Sequence, residues 1–197
     1  MSWLSLIVAF ALVDNVVLSR LLGTLQPPGA PGTLRGALTM GAGTGMLIAL
    51  GSLGAWAIDS LVLDPLGLAF LRTPLFVFIV AGLAWLLADV ARRAAPRVAG
   101  VPGFSFPEAA LNSAALGTVL IIRRAGYGAA EGVVAGLAAG LGYALVHLLL
   151  SAIRQRLEVE TVPRAMRGLP LHLVSAGLLA YAFVAFDRAF LARVLGG

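Results

Sequence analysis

Two polar insertions interrupt the apolar character of this sequence, and they hold the residue types that could do chemistry. Asp14 and Asn15 sit at the centre of the apolar run Trp3–Leu22, and Glu108, Asn112 and Ser113 sit in the run Phe104–Ile122. A carboxylate and carboxamides surrounded by aliphatic side chains can coordinate a cation or pass a proton. Polar groups at membrane depth are costly, so they face a protein interior or a cavity. Asp14, Asn15, Asn112 and Ser113 are therefore the candidate ion-path residues. The plainer alternative is a buried polar set that satisfies backbone N–H and C=O groups freed where a helix is broken. Glu108 follows Pro107, in what reads as a first helical turn, where the helix dipole favours a carboxylate whatever its function.

Other chemistries are poorly provided for. His147 and His172 fall one per apolar run, without the paired spacing of a metal or haem site, and a lone histidine in a packed helix is usually just hydrogen-bonded. The sequence has no cysteine, which excludes disulfides, thiolate catalysis and cysteine-ligated metal on this chain. No phosphate loop, dinucleotide fingerprint or nucleophile–base set occurs. No catalytic residue, metal site or cofactor is expected on this chain, so any substrate chemistry would belong to other subunits.

The elements that must position the polar residues are membrane helices. Of 197 residues, 60% are hydrophobic and 12% charged, and the mean hydropathy is +0.98, whereas soluble domains are about 25% charged. Six apolar windows stand out against the roughly 20 residues a span needs: Trp3–Leu22, Ala37–Ile58, Leu75–Val90, Phe104–Ile122, Val133–Ile153 and Leu169–Phe186. Proline and glycine punctuate the connections, as at Pro27–Gly32, Pro65, Gly67, Pro96, Pro102, Gly126, Pro163 and Gly168. The N-terminus lacks a basic stretch and a small-residue cleavage signal, so the first window is expected to be retained. Trp3, Trp56 and Trp85 fall near window ends, as interfacial anchors do. Asp59, Asp64 and Asp89 also lie at window ends and read as interfacial. The net charge of +5 comes from 14 arginines scattered through short connections, which argues against a nucleic-acid surface.

The fold class expected is an all-α integral membrane protein, a single domain over 1–197. Asn15 recurs as Asn112, 97 residues on, and Gly43 and Gly45 recur at the same offset as Gly140 and Gly142. With a two-residue slip Arg72 recurs as Arg167 and Gly82 as Gly177. Two repeats of three helices follow, near 1–96 and 104–197. An odd number of helices makes them inverted, with broken half-helices at the equivalent first and fourth windows. Arg72 and Arg167 read as structural anchors of each third helix. Gly41 and Gly45, and Gly136 and Gly140, fall in the G-x-x-x-G spacing that lets helices approach closely, either within the chain or at a dimer face. Nine arginines (Arg20, Arg35, Arg92, Arg93, Arg97, Arg154, Arg156, Arg164, Arg167) lie on one side and five (Arg72, Arg123, Arg124, Arg188, Arg193) on the other. The richer side is expected to be cytoplasmic, with both termini periplasmic in a bacterial inner membrane.

Several stretches resemble the RnfA/NqrE family over nearly the whole length. They are Leu12-Val-Asp-Asn-Val-Val-Leu18 with Leu21-Leu-Gly23, Ala55-Trp-Ala-Ile-Asp59, Leu71-Arg-Thr73, Leu111-Asn-Ser-Ala-Ala-Leu-Gly117, and Ala152-Ile-Arg-Gln-Arg-Leu-Glu-Val-Glu-Thr-Val-Pro163 followed by Arg167-Gly168. The last run is specific, because a lipid-facing helix does not dictate a long polar juxtamembrane string. The resemblance implies six helices in two inverted halves, and a homologous RnfE/NqrD-like partner subunit in the bilayer. It also implies a part in a pump that couples electron transfer among ferredoxin, NAD and quinone to Na⁺ or H⁺ movement. In that family an intramembrane iron–sulfur cluster is held by one cysteine from each half-helix break. The matching positions here are Leu25 and Ser113. Leucine cannot ligate iron, and serine is a poor substitute for thiolate. The resemblance therefore implies a non-catalytic subunit with a structural and ion-path role that has lost its share of the cluster. A standalone transporter or channel on the same repeat, or a structural accessory subunit of another membrane complex, are the alternatives.

Overall fold

The computed structural model describes residues 2–23, 34–94, 113–158 and 162–186. Among them every ordered element is helical. Helix α1 (Trp3–Val8) starts where Ser2 accepts a hydrogen bond from the Ser5 N–H and runs on as a π-turn over Ala9–Val13. The turn ends as the Asp14 N–H donates to the Ala9 carbonyl five residues back, 2.7 Å away. Helix α2 (Val16–Arg20) then begins afresh and stops at Leu21, which takes a left-handed conformation at φ 53°. The first apolar window is thus a broken helix, as the sequence led us to expect.

The longest elements follow. Helix α3 (Leu34–Ile58) continues as a π-turn over Asp59–Leu63, five residues beyond the expected window. A turn through Gly67, at φ 67°, and a short 3-10 segment (Ala69–Leu71) lead into α4 (Arg72–Ala94). Helix α5 (Ser113–Arg124) is joined by a turn at Gly126 to α6 (Ala129–Glu158). A 3-10 turn (Arg164–Met166) precedes α7 (Leu169–Phe183), which carries Pro170 in its first turn, where a missing N–H costs nothing. Among the described residues four helices are long and apolar enough to cross a membrane: Gly36–Leu63, Ala69–Arg93, Ala129–Leu157 and Leu169–Phe186. The first and fourth windows hold only short helices in the described residues, Trp3–Val13 broken from α2, and α5.

Helices α3 and α6 form the centre and cross antiparallel. Gly41 meets Ala144, Gly45 meets Gly140, and Gly136 meets Ala49. A methyl group on Gly136 would stand 2.6 Å from the Ala49 Cα, so this is a crossing of backbone on backbone. Both G-x-x-x-G pairs therefore make their close contacts within the chain. Around this centre pack α1, α2, α4 and α5, with Leu47, Phe76, Val80, Val119, Ile122 and Val146 in the shared core. The outside is apolar too: Phe70, Phe78 and Trp85 on or beside α4, and Leu178 and Tyr181 on α7, are exposed, as a lipid-facing surface requires. Only Ala176 of α7 is buried.

Candidate functional site

Asn15 closes the break in the first helix. Its Oδ1 accepts from the Val17 N–H at 3.1 Å, capping α2, and its Nδ2 donates to the Ala11 carbonyl at 3.0 Å, freed by the π-turn. The Ser19 hydroxyl donates to the Asn15 carbonyl at 2.8 Å. One side chain thus satisfies both broken ends, which a bilayer interior demands because no water reaches them. Asn15 is only 2% exposed, while Asp14 beside it is half-buried. The break rests on Gly142 of α6, where a Cβ would fall 2.6 Å from the Ala11 carbonyl oxygen and 2.7 Å from the Asn15 Nδ2. We expect Asn15→Ala to lower stability by about 2–3 kcal/mol, the sum of a lost cap and two orphaned buried backbone groups. Thermal unfolding in detergent, against Asn15→Asp, which keeps the capping oxygen, checks this.

The turn after α2 is a meeting point. Gly23, at φ 72°, donates its N–H to the Ser113 Oγ at 3.2 Å, at the first residue of α5. Leu22 packs on Gly117 of the same helix. His147 of α6 is buried, with its ring 4.0 Å from that of Tyr143, and makes a backbone hydrogen bond at Gly23. So the structure brings Ser113 to the turn of the first half, and Asn15 a few residues before it on the same segment. Leu25, Glu108 and Asn112 lie outside the described residues.

A second polar cluster was not legible as one. Asp59, read from the sequence as interfacial, is buried, with its carboxylate 4% exposed. It lies at a window end, as read from the sequence, but is covered by protein there. The π-turn after Ile58 carries the carboxylate inward, between Arg72 at the start of α4 and Arg123 near the end of α5. Arg72 Nε donates to Asp59 Oδ1 and its second nitrogen to Asp64. Arg123 donates to Asp59 Oδ2 at 2.7 Å and to the Tyr127 carbonyl at 2.8 Å. Arg167, the sequence counterpart of Arg72 before α7, donates instead to the Val162 carbonyl of its own loop at 3.0 Å. Arg72 and Arg123 thus meet at one end of the bundle, as their assignment to the same side requires.

The donor set at the Gly23 turn does not suit an iron–sulfur cluster. Among the described residues there, Ser113 offers a hydroxyl that accepts from a backbone N–H, and the chain offers no thiolate. Among the described residues no group of three or more His, Asp or Glu side chains could hold a metal ion.

Comparison with known proteins covers nearly the whole chain. It is 36% identical over 184 residues to the A subunit of the ion-translocating oxidoreductase complex of Serratia proteamaculans, covering 93% of this chain and 95% of that one. It is 34% identical over 187 residues to the A subunit of the Na(+)-translocating ferredoxin:NAD(+) oxidoreductase complex of Acetobacterium woodii, covering 95% and 97%. The corresponding protein of Escherichia coli O1:K1 is 35% identical over 185 residues, covering 94% and 96%. The family described as "Rnf-Nqr subunit, membrane protein" matches residues 3–189, and the chain belongs to that family.

Proposed function

We infer that the chain is a multi-pass membrane subunit of a redox-driven, ion-translocating oxidoreductase complex, of the kind that works with ferredoxin, NAD or quinone. The observation that carries this is the end-to-end match to the A subunits of such complexes, with more than nine-tenths of each chain aligned. The all-helical architecture with an apolar outer surface fits a bilayer-embedded part of that assembly. Catalysis of the redox reaction belongs to other subunits.

The finer role is structural and gating. The junction of Asp14, Asn15 and Ser113, with Asn112 as the repeat counterpart of Asn15, forms the ion path, and the chain contributes no cluster ligand at Leu25 or Ser113. The antiparallel crossing of α3 on α6, the second helix of each proposed half, supports two inverted halves, near 1–96 and 104–197. A homologous RnfE/NqrD-like subunit is the partner. The membrane is the bacterial inner membrane, and the arginine bias supports periplasmic termini.

Gentle purification of the tagged chain from its native membrane tests the reading. Flavin- and iron–sulfur-bearing subunits are expected to come with it, and Asp14→Ala in that complex is expected to slow ion transport more than electron transfer. A lone or homodimeric chain without chromophore would overturn the assignment and leave a standalone transporter or a scaffold.

A further inference from the structure

Helix α5 is tied to the first half of the chain by a polar bond at each end. At its start Ser113 accepts from the Gly23 N–H, and near its end Arg123 bonds Asp59. The buried surface near Ser113 is small, whereas Val119 and Ile122, nearer Arg123, are large and packed in the core. Ala114, Ala115 and Thr118 are buried, Gly117 lies against Leu22, and the Thr118 hydroxyl donates to the Ala114 carbonyl of its own helix. Small side chains make shallow ridges, which resist sliding along the helix axis poorly. An arginine that gives one nitrogen to a carboxylate and another to a carbonyl is directional.

The Asp59 end is well built for holding. Arg72, itself bonded to Asp64, occupies one oxygen of Asp59 and leaves the other for Arg123. The π-turn that carries Asp59 joins directly to α3, the helix packed most closely, through its glycine crossing with α6. The Arg123 side chain is 14% exposed and also holds the Tyr127 carbonyl, so the turn between α5 and α6 is clamped at the same point.

We propose that Asp59 and Arg123 are positioning residues: their bridge sets the axial register of α5 and thereby holds Ser113 against the Gly23 turn at the opposite end. This rests on the fold and not on the redox assignment, so either can fail alone.

The cysteine-free chain permits a direct test by crosslinking. A cysteine pair L22C/G117C reports the register of α5, because a Cβ at Gly117 would lie 3.8 Å from the Leu22 Cγ. A pair G54C/I79C reports the α3–α4 contact, where a Cβ at Gly54 would lie 3.0 Å from the Ile79 Cγ2. Both are to be oxidised in native membranes, in the otherwise unaltered chain and in Arg123→Gln, which leaves the Arg72 bridges in place. Disulfide formation at L22C/G117C is expected to slow at least about tenfold in Arg123→Gln, the scale of a buried pair losing one partner, and to recover in part in Arg123→Lys. The G54C/I79C rate is expected to stay unchanged. An unchanged L22C/G117C rate in folded Arg123→Gln would overturn the proposal. Equal slowing of both pairs would overturn it as well, since it would show general loosening. If Arg123→Gln fails to reach the membrane, Asp59→Glu, which keeps the charge but moves the carboxylate by one methylene, is expected to slow the first pair alone, and an unchanged rate there would equally overturn the proposal.

Discussion

Gly140→Leu is expected to prevent this chain from folding, and Gly140→Ala to destabilise it by about 3 kcal/mol, the upper range for overpacking a tight core. At Gly140 an added Cβ would meet the Gly41 carbonyl oxygen at 2.7 Å and the Gly45 amide nitrogen at 2.8 Å. The obstacle is the backbone of α3, which cannot rotate away as a side chain can. Moving the helices apart would undo the Gly41–Ala144 and Gly136–Ala49 contacts on either side. Gly177→Ala supplies the control. Nothing lies within 4 Å of a Cβ there, so the intrinsic helix preference of alanine, about 1 kcal/mol, is free to show as a gain. Opposite shifts in unfolding temperature for the two alanine variants would confirm that close approach governs position 140. A tolerated Gly140→Leu would show that the crossing is not the keystone of the fold.

Asp59→Ala carries the second large effect. It leaves Arg123 buried with its charge unanswered and strips Arg72 of one of its two carboxylates. Removing one member of a buried pair costs about 3–5 kcal/mol. Here the lower figure applies, because the Arg72 side chain is 41% exposed and water screens it. Asp64→Ala, at a carboxylate 54% exposed, is expected to cost under about 1 kcal/mol. The pair of variants, compared by thermal unfolding in detergent, separates the buried carboxylate from the exposed one. Equal effects would show that Asp59 is held no more tightly than a surface residue.

The apolar windows were legible because a bilayer imposes a length and a composition on any span. Windows two, three, five and six appear as α3, α4, α6 and α7, with ends shifted by a few residues where a π-turn or an extra turn of helix carries on. The break at Asp14–Asn15 was legible for a related reason. A polar pair amid aliphatic residues is tolerated only where backbone groups need partners, and Asn15 supplies them. The glycine spacing announced a close helix contact but not which helices would make it.

Asp59 shows where reading along the chain stops. Its place at a window end suggested water, yet a π-turn of five residues rotates the carboxylate into the bundle, toward an arginine 64 positions away. Nothing local to either residue encodes that meeting. The solvent, the helical class, the approximate spans and the absence of any thiolate were all readable from the chain alone, because each depends on composition or on spacing within one helix. The pairing of α3 with α6, the burial of Asp59 between two arginines and the approach of Ser113 to Gly23 emerged only on folding. Those are contacts between helices, and their geometry depends on crossing angle and axial register, which no single helix contains.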